Sequence, residues 1–280
     1  MTKVLMVQGT SSGAGKTTLV TALCRIFANS GYSVAPFKSQ NMSSYSYKGN
    51  NFEISRAQAI QAIAARTEID PRMNPILLKP LGSYVSKVFL NGKFYKKMHA
   101  KEYYKKFTLT KGLQAAKESL EWLKQNYDLI IIEGAGSPAE FNLEKYDIAN
   151  MRMAEYSNSP VILVADIDKG GTFASIVGTI ELIDKKYQKF IQGFVINKFR
   201  GDINILRPSF RKLKQRTGKP VFGTIPLMEL DIPEEDSLHS SPKEMRWDKK
   251  HLKSLDLEIE KLSRVVKANL NMKAIWGLLK

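Results

Sequence analysis

Apolar residues in this chain fall into short dense runs, separated by longer stretches with helical spacing. The runs are Val4–Gln8, Ser33–Phe37, Leu129–Gly134, Val161–Asp166, Phe190–Asn197 and Val221–Ile225. Several, such as LIIIEG and VILVAD, are continuous Val/Ile/Leu stretches without polar alternation, the pattern of parallel strands buried on both faces. Between them the spacing predicts helices over Thr17–Ser30, Ser55–Arg66, Leu109–Asn126, Ile148–Ser157, Thr172–Lys185 and Ile205–Thr217. Such alternation predicts an α/β fold, a mostly parallel sheet with helices on both faces and ligands at the strands' C-terminal ends. SKVFLNGKF (Ser86–Phe94) reads as a hairpin turning at Asn91-Gly92, at a sheet edge.

The alternation stops at Ile232. The run IPEEDSLHSSPKEM is polar and carries prolines, so a linker or surface arm is expected over 233–248. Helical spacing returns in LKSLDLEIEKLSRVVKANL and MKAIWGLLK, one long helix and one short one with a break at Asn269–Asn271. The expected organisation is a main unit over 1–232, the arm, and a C-terminal helical appendage over 249–280.

Composition narrows the class. With 43% hydrophobic and 25% charged residues over 280 positions, the balance is that of an ordinary globular chain. No apolar run approaches the roughly 20 residues of a membrane-spanning helix. A strand directly after Met1-Thr2-Lys3 leaves no room for a signal peptide. The single cysteine, Cys24, excludes an internal disulfide, and a cytoplasmic location is expected. Cys24 itself is expected as a small buried residue on the first helix. The net charge of +16 would draw a polyanion: a nucleotide, a multiply carboxylated small molecule, nucleic acid or anionic lipid. Lysines are densest from Lys93 to Lys106, where they alternate with Tyr and Phe. This stretch is expected as a solvated helix face with its aromatics turned inward rather than as a nucleic-acid surface. His99, His239 and His251 show no ligand spacing.

The chemistry begins in GTSSGAGKTT, Gly9 to Thr18, which follows a strand and opens a helix. Gly9, Gly13 and Gly15 let the backbone curl through Thr10, Ser12 and Ala14 so that its N–H groups face phosphate oxygens. Lys16 would neutralise the β and γ phosphates, and the hydroxyl of Thr17, followed by Thr18, would bind magnesium. This is a P-loop, and its expected cofactors are ATP and Mg2+. Thr10 stands where the common form has its first glycine, and Gly9 lies one position earlier. Ser11 stands where partitioning ATPases carry an extra lysine, which points away from a switch-like ATPase.

The GT-x-x-G-x-GKT loop resembles that of dethiobiotin synthetase and its relatives. VAPFKSQNMS, EISRAQAIQA, MNPILLKP, IIIEGAGSPAE, DIANM, VILVADIDKGG, GFVINKFRGD, RTGKPVFGTIP and IPEEDSL further resemble, in order, the N-terminal synthetase domain of the cobyric acid synthase family. That resemblance covers Val4 to about Leu238. It implies a P-loop NTPase fold and ATP-dependent amidation of carboxylates on a corrinoid of the cobyrinic acid a,c-diamide type, through an acyl phosphate that ammonia attacks.

The resemblance also implies roles. Lys16 and Lys38 would supply positive charge at the transferred phosphate, and Glu133 and Glu53 would join Thr17 as magnesium ligands. Glu53 is expected at a helix N-terminus. Asn197 would read the adenine edge, as an amide can. Asp166, Asp168 and Lys169 sit at another strand end and would bind substrate, magnesium or the acyl phosphate; for Asp168 a tight turn remains an equal reading. Gln40, Asn41 and Asp147 are weaker candidates for corrinoid contact. The family continues into a glutaminase-like domain with a catalytic cysteine, whereas Cys24 lies on the P-loop helix. Ammonia is therefore expected from a separate glutaminase subunit or from free ammonia. The expected partner is a corrinoid, with neither nucleic acid nor membrane, and a homodimer is left open. Two alternatives stand: another carboxylate-activating synthetase of this superfamily, or a regulatory or partitioning P-loop ATPase acting through the basic surface.

Overall fold

The computed structural model describes residues 2–233 and 245–279. Residues 234–244, most of the expected arm, lie outside the described residues. In chain order the elements are β1 (Lys3–Gly9), α1 (Lys16–Ala28), β2 (Val34–Phe37), β3 (Gln40–Met42), β4 (Ser46–Gly49), β5 (Phe52–Ser55), α2 (Arg56–Ala64) and β6 (Ile76–Gly82). Then come β7 (Val85–Leu90), β8 (Lys93–His99), α3 (Ala100–Glu102), a π-helical stretch (Tyr103–Gly112) and α4 (Leu113–Asn126). The chain continues through β9 (Leu129–Glu133), α5 (Met151–Ser157), β10 (Val161–Asp166), α6 (Thr172–Leu182), α7 (Lys185–Gln188) and β11 (Ile191–Phe199). It closes with α8 (Ile203–Thr217), β12 (Val221–Pro226), α9 (Lys249–Asn269) and α10 (Met272–Gly277).

The six continuous apolar runs all become strands of one sheet, in the order β12-β11-β10-β1-β9-β2, with every pairing parallel. Val, Ile and Leu fill both faces because both are covered. Leu5, Val7, Ile131 and Val164 pack beneath α1, α9 and α10, while Met6, Ile132, Leu163 and Ile196 pack beneath α4, α5, α6 and α8. β1 is central, with Gly9 opposite Val164 and Val7 opposite Glu133. The loops that follow β1, β2, β9, β10 and β11 therefore open along one edge, where doubly wound sheets hold their ligands.

The C-terminal stretch is woven into this core rather than hung from it. α9 lies along α1, Leu270 bridges to Gly223, and Asn271 N–H donates to Phe222 O at 2.6 Å. Arg25 joins the two helices. Its guanidinium is fully buried and donates to Ala64 O at 2.9 Å and Ile63 O at 3.2 Å, closing the C-terminal end of α2. It also pairs with Asp256 and, at 3.2 Å, with Glu260 on α9. Arg25→Ala strands those carbonyls and leaves a void, so urea unfolding should show a loss of about 3 kcal/mol. Retention of full stability would mean that α9 docks on apolar contacts alone.

A second sheet, β3-β6-β7-β8, and the β4–β5 ribbon were not expected from the sequence. The predicted hairpin is present as β7–β8, with Asn91 and Gly92 both at positive φ, but it forms the edge of this second sheet. The lysine-rich stretch is corrected by the same pairing. Lys93–His99 is a strand held to β7, not part of a helix face, and Phe94 and Tyr95 are exposed. Only beyond it do Tyr103 and Phe107 turn inward as expected, onto Ile76, Leu78, Val88 and Met98.

Candidate functional site

Gly9 ends β1, and the chain then curls through Ser11 to Gly15 before α1 begins at Lys16. Thr10 N–H donates to Val164 O at 2.9 Å, which pins the start of the loop to β10. Gly15 takes φ +100°, and a Cβ there would stand 1.9 Å from Asn197 Nδ2. Both the turn and the close approach thus require glycine. Lys16 folds back over the loop, its Nζ donating to Ser11 O at 2.9 Å and Gly136 O at 2.8 Å. A basic group held over backbone N–H groups at a helix N-terminus is a phosphate site.

Glu133 is the centre of the buried side of the site. It has no exposure at the end of β9, and three donors from three elements converge on it. Thr17 Oγ1 donates to Oε1 at 2.8 Å, Lys38 Nζ to the same oxygen at 2.9 Å, and Gln61 Nε2 to Oε2. Behind Gln61 runs a line of buried amides: Gln58 Nε2 donates to Gln61 Oε1 at 3.4 Å, and Asn41 Nδ2 to Gln58 Oε1 at 3.0 Å. Every amide in this line presents its NH₂ end toward the carboxylate, so the line reads as a chain of donors ending on Glu133. Asn41 also donates to Ser55 Oγ at 2.7 Å, and Ser55 caps α2 through Ala57 N–H, so the line is anchored where α2 begins.

The structure thus brings together Lys16, Thr17, Lys38, Glu133 and Asn197. Asn197 Nδ2 is engaged with Ala14 O at 3.0 Å. Glu53 departs from expectation: it lies in β5, not at a helix start, because Ser55 is the residue that caps α2. Its carboxylate accepts from Ser46 on the neighbouring strand β4 and from Lys79 on the second sheet. Burial would raise that carboxyl, but Lys79, Ser46 and Lys48 prevail and hold it below the usual range. Asn41, a candidate for corrinoid contact, is buried in the amide line, and Gln40 accepts from Tyr103 OH. Asp147 accepts from Ala149 and Asn150 N–H at 2.7 and 3.0 Å and shapes the turn into α5; its burial pushes the carboxyl upward despite those bonds.

At the end of β10 the turn-forming acid is Asp166, which accepts from Asp168 N–H at 2.9 Å. Asp168 pairs with Arg200 at 3.0 Å, and Lys169 is exposed. Cys24 is fully buried on α1, and burial, followed by the nearby Glu133 charge, pushes its thiol upward, so it is unreactive. Two participants were missed in the sequence: Gln61, and Lys198, which donates to Gly13 O at 2.9 Å. For Gln61 the signal was present, since two glutamines three apart on an Ala/Ile helix must be buried with partners. Lys198 follows the expected strand Phe190–Asn197 as Lys38 follows Ser33–Phe37, and that position was the signal for it.

Residues 5–239 match the CobQ/CobB/MinD/ParA nucleotide binding domain model. The chain is 53% identical over 247 residues to a probable cobyric acid synthase of Thermococcus kodakarensis, covering 87% of this chain and 50% of that protein. It is 52% identical over 246 residues to a probable cobyric acid synthase of Methanothermobacter thermautotrophicus, covering 87% and 49%. The chain therefore spans about half the length of the curated relatives it matches. Among solved structures it is similar to apo McdA of Cyanthece at 13% identity and a TM-score of 0.47, covering 96% of this chain and 99% of that one. Among the described residues no helix is long and apolar enough to cross a membrane.

Proposed function

We propose, from the premise that the chain belongs to the CobQ/CobB/MinD/ParA nucleotide binding domain family, that it uses ATP to activate carboxylates of a corrinoid for amide formation. The observation that carries this reading is the convergence of Thr17, Lys38 and Gln61 on Glu133 directly beside the phosphate loop. The names of its relatives supply the substrate class. A carboxylate oxygen of the corrinoid attacks the γ-phosphorus of ATP, ADP leaves, and ammonia then attacks the acyl carbon and expels phosphate. Phosphoryl transfer of this kind needs charge neutralisation and in-line placement more than covalent help from the protein. Lys16, over the loop, and Lys38, beside Thr17 on Glu133, would supply the first.

The donors suit a magnesium ion. Thr17 and Glu133 offer hard oxygens 2.8 Å apart and would hold it, with Lys38 yielding part of its share of Glu133. Such an ion adds positive charge at the phosphate oxygens. Glu53, committed to Lys79, is assigned to bracing the second sheet instead. Asn197 stands beside the loop at a position suited to the adenine, and Asp168 and Lys169 border the side from which the carboxylate would approach. Ammonia would come from a glutaminase activity or from solution.

The test is incubation with ATP, magnesium, ammonium and cobyrinic acid a,c-diamide. ADP release should depend on the corrinoid, whose mass should fall by about one unit per amidation as OH is replaced by NH₂. ATP hydrolysis that ignores the corrinoid and responds to DNA would overturn the reading.

A further inference from the structure

Successive strand residues point to opposite faces of a sheet, yet Asn197 and Lys198 both reach the phosphate loop. The reason is local. Lys198 adopts φ +58°, a left-handed conformation that is costly for a residue with a Cβ, and the pairing of β11 with β12 becomes irregular there. The twist lets Lys198 Nζ donate to Gly13 O at 2.9 Å while Asn197 Nδ2 donates to the next carbonyl, Ala14 O, at 3.0 Å. Asp166 Oδ2, nearly buried and opposite Asn197 in the register, accepts from Lys198 Nζ at 2.8 Å and fixes its direction.

In a trans peptide, C=O and N–H point in opposite directions. The Gly13 carbonyl belongs to the peptide that carries the Ala14 N–H, and the Ala14 carbonyl to the peptide that carries the Gly15 N–H. Donors that draw both carbonyls toward β11 therefore turn both N–H groups the other way, into the loop where a phosphate would lie. We infer that Lys198, held by Asp166, is a positioning residue for phosphate recognition: it acts on the Gly13–Ala14 peptide and, with Asn197, presets the loop for the nucleotide. The left-handed Lys198 is the strained element that makes the double anchor reachable. This inference rests on the nucleotide-binding part of the reading above.

Binding of Mg-ATP and of magnesium tripolyphosphate to the full chain separates the roles. Lys198→Met should weaken both about tenfold, by the same factor, because the lost charged hydrogen bond orients groups that meet phosphate. Asp166→Asn should shift both in the same direction by a smaller factor, and it serves as the readout if Lys198→Met does not fold. Lys198→Arg, which keeps a charged donor, should restore most of the affinity. Unchanged binding in Lys198→Met and Asp166→Asn overturns the inference. So does a loss confined to ATP, which would mark Lys198 as a contact to the base. If the unmodified protein binds neither ligand, the nucleotide reading fails and the inference with it.

Discussion

Glu133→Ala is expected to destabilise the fold by about 3–5 kcal/mol, because it leaves the Lys38 ammonium buried without its counter-charge. Both side chains are almost wholly sequestered, at 4% and 0% exposure, so solvent cannot take over the missing role. Lys38→Met should cost a similar amount by leaving the carboxylate alone, even though Thr17 and Gln61 still donate to it. The informative variant is the pair, Lys38→Met with Glu133→Leu. Removing both charges eliminates the uncompensated ion and should recover most of the ion-pair loss, leaving the smaller cost of the hydrogen bonds that Thr17 and Gln61 made to Glu133. Urea unfolding of the four proteins gives the coupling energy directly. Strictly additive losses would show that the two groups do not act as a pair in solution. The same variants should lack corrinoid-dependent ADP release, since each removes a group from the reacting side of the loop.

Lys16→Ala should lower ADP release by a factor of about 10²–10³ while leaving the fold close to its original stability. Lys16 is at present spent on Ser11 O and Gly136 O, two backbone carbonyls that it can exchange for phosphate oxygens without moving the helix that carries it. The contrast with Glu133 is diagnostic: Glu133 is tied to both fold and turnover, Lys16 to turnover alone. Lys16→Arg should rescue little. The lysine stem already runs 3.0 Å from where a Cβ on Gly9 would lie, so a wider guanidinium has no path over the loop. A Lys16→Ala protein with full turnover would show that the chemistry occurs elsewhere.

The central sheet was legible because its inner strands, β1, β9 and β10 above all, are buried on both faces, and burial writes itself into sequence as dense apolar runs rich in Val, Ile and Leu. The second sheet lacks that signature. β3 is Gln-Asn-Met, β4 is Ser-Tyr-Lys-Gly, and β8 is mostly lysine and aromatic residues with only Met98 buried. These segments are strands because of what they pair with, and pairing partners from elsewhere in the chain leave no local period to read. β6 was hidden differently, since Pro80 and the glycine at its end resemble a loop. At the site, the family resemblance pointed to Lys38, Glu133 and Asn197, and the Gly-Lys-Thr sequence identified the loop. Glu53 was misplaced because an acid before a helical pattern resembles a cap, while Ser55 takes that role. Gln61 and Lys198 went unnoticed because each acts through a neighbour rather than through a motif.

The grip of Arg25 on α9 sets the order in which the protein can become competent during synthesis. Arg25 lies on the helix that starts at Lys16, and its partner Glu260 is 235 positions later. At ribosomal rates of roughly 5–20 residues per second, the first helix waits on the order of tens of seconds for its clasp. Through that interval the apolar side of α1 that α9 will cover remains bare, and a basic side chain destined for full burial faces water. Nascent chains halted before Asp256 should therefore be the ones that chaperones hold and that nucleotide fails to protect. The cradle is encoded well before the helix that completes it.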